Sequence, residues 1–241
     1  MENLDIKTVA EAVTENIKTA HIFKKHGIDF CCGGGISISK ACKKNGVDYN
    51  TIIEELKAID RDASFMNNFD DWELDFLIDY IVNTHHKYVE ENIVLLKQYG
   101  ARVAKVHGHH YTELLEIEKI IYAISDELTV HMKKEELILF PFVKKLVAAK
   151  KNNTSVAIPH FGTVDNPIKM MEVEHDDAGE ALRTISKLTN TYQTPDGACN
   201  TFKALYSKLE EFEDNLHQHV HLENNILFPK ARKLETELNS I

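Results

Sequence analysis

The stretch HMKKEELILFP at residues 131–141 returns eighty-eight positions later as HVHLENNILFP at residues 219–229. In both copies a glutamate follows a histidine by four residues, and the copy ends in Ile-Leu-Phe-Pro. Residues four apart lie on one face of a helix, so the histidine and glutamate of each copy share a direction. An internal repeat of this kind predicts two equivalent half-units. The two pairs are His131 with Glu135 and His219 with Glu223.

Two further histidines, His86 and His175, are spaced almost identically, eighty-nine residues apart. Apolar residues at helical spacing lead to all six positions, which places the polar groups on faces that should be buried. Burying four imidazoles and two carboxylates without partners would be costly, and metal ions are the partners that suit them. Such a ligand set favours first-row metals over magnesium or calcium. The sequence therefore predicts a site for two metal ions, with His85 as an alternative to His86.

Four long helices are predicted, at about 71–98, 111–150, 165–190 and 198–238, with Gly100 and Gly108 among the breaks. Their apolar stripes predict a four-helix bundle with metal ligands that project inward from every helix. Residues 1–62 have a different composition and predict a small helical domain, in which one helix starts near Val9 and ends near Gly27. The linker is placed at residues 60–70, and the bundle domain at residues 70–241. The predicted fold class is all-α.

Vicinal cysteines, Cys31 and Cys32, precede the glycine triplet Gly33–Gly35 in the N-terminal domain. Three consecutive glycines predict a tight turn with unusual backbone angles. Cysteines in such a turn can bind metal, exchange thiols or simply fill small apolar spaces. We favour a functional role for them, in metal binding or redox chemistry. Cys199 is expected to be inert, and His107 is either a further ligand or a histidine of a surface loop.

The charge, cysteine pattern and hydropathy of the chain argue against several classes of function. The 241 residues carry a formal net charge of −10, which argues against a nucleic-acid partner. The four cysteines do not form the pattern of a disulfide scaffold. The chain begins without a secretory signal and has no apolar run long enough for a membrane span. These features predict a cytoplasmic protein without a membrane partner.

Four segments resemble motifs of the RIC proteins (repair of iron centres), and the resemblance extends over nearly the whole chain. The segments are GIDFCCGG at 27–34, KVHG at 105–108, EHDDAGE at 174–180 and HVHLEN at 219–224. The triplet Gly33–Gly35 is one glycine longer than the family pattern. The resemblance implies a hemerythrin-like four-helix bundle that holds two non-haem iron ions joined by an oxide. It also favours His86 over His85, and it matches His107 with a family histidine near the site. By this resemblance the terminal ligands are His86, His131, His175 and His219, and the bridging ligands are Glu135 and Glu223.

The function implied by the resemblance is the repair of iron–sulfur clusters damaged by nitric oxide or oxidants. The protein is expected to donate iron, with Cys31 and Cys32 as a relay, rather than to act as a turnover enzyme. The alternatives are a sensor or scavenger of O₂ or NO and an NO-reducing di-iron enzyme. The expected partners are damaged iron–sulfur proteins, with NO or O₂ as small ligands and a second copy of the chain in a homodimer.

Overall fold

The computed structural model describes residues 6–59 and 69–239. The secondary structure within these ranges is helical, and no β-strand forms there. An isolated antiparallel bridge pairs Thr8 with Ser37. The predicted all-α class is therefore confirmed. None of the helices in the described ranges is both long enough and apolar enough to cross a membrane.

The described part of the N-terminal domain, residues 6–59, contains four short helices. Thr8 starts the first with a capping box, in which its hydroxyl accepts from the N–H of Glu11 and the Glu11 carboxylate accepts from the N–H of Thr8. The single helix predicted from Val9 onward is wrong, because the chain breaks at Asn16. The Asn16 side chain accepts from the N–H of Lys18 at 3.1 Å, a local bond that competes with the helix. The helices are α1 Val9–Glu15, α2 Thr19–Lys25, α3 Ile38–Asn45 and α4 Tyr49–Ala58.

The remainder of the chain forms the four long helical runs that the sequence predicts. Three of these runs contain a π-helical segment, namely Ile81–His86, Glu135–Leu139 and Glu223–Leu227. The α-helices are α5 Leu74–Tyr80, α6 Lys87–His107, α7 Glu113–Lys134, α8 Phe140–Asn152, α9 Asp165–Leu188, α10 Asn200–Leu222 and α11 Phe228–Asn239.

The first run continues to His107 instead of ending near residue 98, so the break predicted at Gly100 is wrong. Gly100 is buried inside α6. A Cβ at this position would lie 3.0 Å from Cδ1 of Ile121 on α7. The glycine therefore allows α6 and α7 to approach closely, which is a packing role that sequence alone does not distinguish from a helix end.

The described residues fall into two compact units. The first holds the N-terminal segment through Ile78, Leu146–Val156 and the chain from Gln218 onward; the second holds Asp79–Lys145 and Ala157–His217. In the second unit α6 packs on α7, and α7 packs on α9. The hydroxyl of Tyr88 on α6 donates to Glu211 on α10 at 2.8 Å. These contacts form the predicted four-helix bundle.

In the first unit, α1 packs against the π-helical segment Glu223–Leu227. The linker predicted at residues 60–70 lies almost entirely outside the described residues, and Phe69–Asp71 form a short 3₁₀ turn. The division into domains 1–62 and 70–241 stays a prediction.

A fragment of residues 70–241 is expected to bind two iron ions, because none of the six proposed ligands precedes residue 86. Its melting temperature should be lower than that of the full chain, since removal of α1 exposes apolar surface beside Glu223–Leu227. Iron analysis and thermal unfolding of both proteins test this. A folded fragment that cannot hold iron would place Cys31 and Cys32 in the metal site.

Candidate metal centre

Two π-helical turns carry the repeated glutamates. The N–H of Phe140 bonds to the carbonyl of Glu135, and the N–H of Phe228 bonds to the carbonyl of Glu223, each spanning five residues. The next residue in each copy is a proline, which has no N–H and whose ring clashes with the carbonyl four residues back. The widened turn accommodates the proline, so the Ile-Leu-Phe-Pro repeat has a structural reason. Such turns are rare and often occur at functional sites.

Glu135 is the centre of the half-site in the second unit. Its side chain is fully buried. The Nε2 atoms of His86 and His131 lie 3.3 and 3.4 Å from its Oε2. Neither carboxylate oxygen accepts a hydrogen bond from the described residues. A buried carboxylate without a hydrogen-bond donor is costly, and a cation held between it and the imidazoles would compensate its charge.

His175 joins this group through His131. Their Nε2 atoms face each other at 3.0 Å, and both rings are buried. This is a hydrogen-bond distance between two ring nitrogens. A metal ion bound here would replace this hydrogen bond by a bond to each nitrogen. Ligand atoms of His131, Glu135 and His175 all lie within 4.8 Å of one another, which suits a single coordination sphere.

The carboxylates of Glu136 and Glu174 orient the rings of His86 and His131. Nδ1 of His86 donates to Glu136 at 2.9 Å, and Nδ1 of His131 donates to Glu174 at 2.8 Å. A carboxylate only accepts, so Nδ1 carries the proton and Nε2 of a neutral ring presents its lone pair to the site. Burial alone raises the pKa of each carboxyl, but hydrogen bonds hold both below the usual value. The donors are Lys133 and His86 at Glu136, and Lys134 and His131 at Glu174.

Replacement of Glu174 by alanine is expected to lower iron affinity about 10- to 100-fold, the usual cost of losing the partner of a metal-bound histidine. The ring of His131 would lose the bond that sets its tautomer. Asp176→Ala, which removes an exposed carboxylate from the same helix, is the matched control. Competition with a chelator measures both affinities, and equal affinity in the two variants would show that Glu174 has no orienting role.

The second copy of the repeat forms its own pair in the first unit. Nε2 of His219 lies 3.0 Å from Oε1 of Glu223, and both side chains are buried. His219 lies on α10, one turn before the π-helical segment that Glu223 begins. The pair repeats the combination of His131 and Glu135, as the sequence predicts.

Two other histidines take different positions. His85 is buried, and its Nδ1 lies 3.2 Å from the side-chain oxygen of Asn215, so it faces a different helix from the predicted ligand His86. His107 ends α6, twenty-one residues after His86, which is about 31 Å along a helix axis. Its Nε2 lies 3.2 Å from Sγ of the exposed Cys199. The structure does not bring His107 to the other predicted ligands, so we leave it out of the proposed set.

Cys31 and Cys32 lie in the first unit, with their sulfur atoms 3.7 Å apart. Cys31 is buried, and Cys32 is partly exposed. Hydrogen bonding between the thiols, together with burial, raises the pKa of Cys31 well above its usual value. Asn225 donates to the Cys31 carbonyl at 3.0 Å and contacts Nδ1 of His221 at the same distance. Burial lowers the pKa of His221 to about 4, so this ring is neutral at physiological pH.

Comparison with known protein families supports a cation site. The hemerythrin HHE cation binding domain matches residues 77–231, and a domain of unknown function (ScdA_N, DUF542) matches residues 5–60. The iron-sulfur cluster repair protein YtfE of Yersinia pseudotuberculosis serotype IB is 33% identical over 233 residues, which cover 97% of this chain and 98% of that protein. The protein of the same name from Yersinia pestis (strain Pestoides F) is 34% identical over 218 residues, covering 90% and 93%.

Proposed function

Because the chain belongs to the family of iron–sulfur cluster repair proteins with a hemerythrin-type domain, we propose that it repairs damaged clusters by donating iron. The observation that carries this proposal is the buried Glu135 carboxylate, which lies between two imidazole nitrogens and accepts no hydrogen bond from the described residues. Such a group suits a cation. A nitrogen-rich set of histidines with two carboxylates suits iron better than magnesium or calcium.

The proposed centre combines both half-sites and holds two non-haem iron ions, joined by an oxide in the diferric state. The internal repeat supports this combination, because the His–Glu pair occurs once in each compact unit. The proposed terminal ligands are His86, His131, His175 and His219, and the proposed bridges are Glu135 and Glu223.

The residues around the centre suit storage of an iron cargo. Glu136 and Glu174 accept from Nδ1 of His86 and His131, so Nε2 is the nitrogen that each ring has left to bind iron. Glu135 and Glu223 supply the negative charge, and this attraction depends on the charge of the ion. A ferrous ion should therefore be held less tightly than a ferric ion. After reduction to the ferrous state, the bound iron would be released to a damaged cluster.

Restoration of a cluster tests this function. An iron–sulfur dehydratase is inactivated with nitric oxide and then incubated with the reduced, iron-loaded protein, with the metal-free protein or with free ferrous iron. Donation predicts that only the loaded protein restores activity at equimolar concentration. Equal recovery with free iron would refute donation, and sustained production of nitrous oxide without recovery would instead identify an NO-reducing enzyme. The cytoplasmic location and the homodimer stay predictions.

A further inference from the structure

We propose that Cys31 and Cys32 form a separate binding site for one divalent, thiophilic metal ion, a chelate in which ferrous iron is held on its way to a partner. The inference rests on the proposed donation of iron and deepens it, because it gives the iron in transit a defined pair of ligands. The site belongs to the N-terminal domain and shares no ligand with the proposed di-iron centre.

The separation of the two sulfur atoms carries this inference. Thiolates bind such ions at about 2.3 Å, and two sulfurs at the tetrahedral angle on one ion then lie about 3.8 Å apart. The sulfur atoms of Cys31 and Cys32 are 3.7 Å apart. The two sulfur atoms are therefore already at the separation that they would need to bind one metal ion together. Thiolate ligands also select iron and zinc over the hard cations magnesium and calcium.

The loop that presents the sulfurs is well organised. One oxygen of Asp29 accepts from the N–H groups of Cys31 at 3.0 Å and Cys32 at 3.1 Å. A Cβ on Gly34 would lie 2.4 Å from the carbonyl oxygen of Phe30, so only glycine permits this turn. The Asp29 carboxylate also lies 3.4 Å from Sγ of Cys31 and adds negative charge beside the chelate. Preorganisation of this kind lowers the entropy cost of binding.

Contacts in the first unit connect this loop to the turn that carries Glu223. Asn225 donates to the Cys31 carbonyl at 3.0 Å, and Asn224 approaches the same carbonyl at 3.5 Å. The amide of Asn224 also lies 3.9 Å from Sγ of Cys32. Both asparagines directly follow Glu223, a proposed iron ligand, so the thiol pair is attached to the segment from which iron would depart.

Binding requires that each thiol lose its proton to solvent as a sulfur–metal bond forms. The ion keeps its charge, so no oxidant or reductant takes part. Two protein thiolates leave the other positions of a tetrahedral ion to water. Cysteines of an acceptor protein can replace those waters, which would allow direct transfer. The partial exposure of Cys32 gives them access.

Cobalt(II) is the probe, because its thiolate complexes absorb in the near ultraviolet. The full-length protein is first loaded with two iron ions per chain, freed of excess iron, and then titrated with cobalt(II) under anaerobic conditions at mildly alkaline pH. We expect one equivalent to bind with sulfur-to-cobalt absorption. Cys31→Ala and Cys32→Ala should each weaken cobalt binding by at least about a hundredfold. Loss of a residue that only hydrogen-bonds to a metal ligand typically has a smaller effect. Cys42→Ala and Cys199→Ala, which remove thiols outside the pair, should leave it unchanged.

A second measurement needs no variant. Cadmium(II) should protect two thiols of the wild-type chain from alkylation, and peptide mapping should identify them as Cys31 and Cys32. Absence of thiolate absorption with cobalt(II), its persistence in both single variants, or protection of other cysteines would overturn the chelate. Failure of donation would appear separately, as a wild-type protein that binds cobalt(II) at the pair but does not restore a damaged cluster.

Discussion

Glu135→Leu is expected to reduce the bound iron from two ions per chain to less than one. Glu135 is the residue on which the imidazoles of His86 and His131 converge, at 3.3 and 3.4 Å. A bridging carboxylate compensates both ions, and its removal leaves buried positive charge unpaired, which typically costs about 3–5 kcal/mol. Glu223→Leu should have a similar effect, because Glu223 occupies the equivalent position in the second copy of the repeat. Iron analysis of the purified variants measures the loss.

The matched control is His107→Ala, which should keep two iron ions because His107 lies at the far end of α6. Thermal unfolding with and without iron adds a second readout. The metal-free Glu135→Leu protein should be at least as stable as the metal-free wild type, since a buried carboxylate without a donor is replaced by an apolar side chain. Only the stabilisation by iron should disappear. A greater loss of iron in His107→Ala than in Glu135→Leu would show that the bridge assignment is wrong.

Reduction of the iron-loaded protein is expected to speed the release of iron to a chelator by at least about tenfold. Two unit charges about 4 Å apart attract each other by about 4 kcal/mol at an effective dielectric constant of 20. Each ferric ion that becomes ferrous therefore loses several kcal/mol of attraction to Glu135 and Glu223, of which about 1.4 kcal/mol would suffice for a tenfold change in affinity. The oxide proposed to join the two ferric ions would also be a much weaker ligand for ferrous ions.

Anaerobic stopped-flow mixing with a ferrous chelator measures release from the reduced protein, and a ferric chelator measures it from the oxidised protein. Glu210→Gln, which neutralises an exposed carboxylate away from the ligands, serves as a control for net charge. Equal release rates in the two redox states would exclude a donor that responds to reduction, and would favour a sensor of O₂ or NO.

The clustering of the histidine and glutamate side chains was predictable because two constraints coincide at these positions. The repeat of His-x-x-x-Glu places a histidine above a glutamate on one face, and the apolar residues before it place that face inside the bundle. The contacts of Glu135 with His131 and of Glu223 with His219 follow from these two patterns. The four helical runs were predictable for the same reason, since long stripes with a period near 3.6 residues have few alternatives.

Other features depend on partners that are distant in sequence. Glu136 and Glu174 are ordinary charged residues until the fold brings them to His86 and His131. A single glycine such as Gly100 can mark a helix end or a close contact between two helices, and the sequence does not distinguish the two. The π-helical turns at Glu135 and Glu223 could have been predicted from the proline that follows each glutamate by six residues. The regular spacing of apolar residues instead indicated an uninterrupted α-helix. The ends of α6 and the break at Asn16 depend on local bonds of similar strength, so sequence patterns predict them poorly.

The most direct measurement of iron donation follows isotope-labelled iron from this protein into a cluster-depleted iron–sulfur protein. The labelled, reduced protein is mixed anaerobically with the depleted partner, a sulfide source and an excess of a chelator that competes for free iron, and the two proteins are then separated. Donation predicts that labelled iron appears in the rebuilt cluster of the partner, with up to two ions lost from each donor chain. Label found only in the chelator, or retained by this protein while the partner stays inactive, would contradict donation.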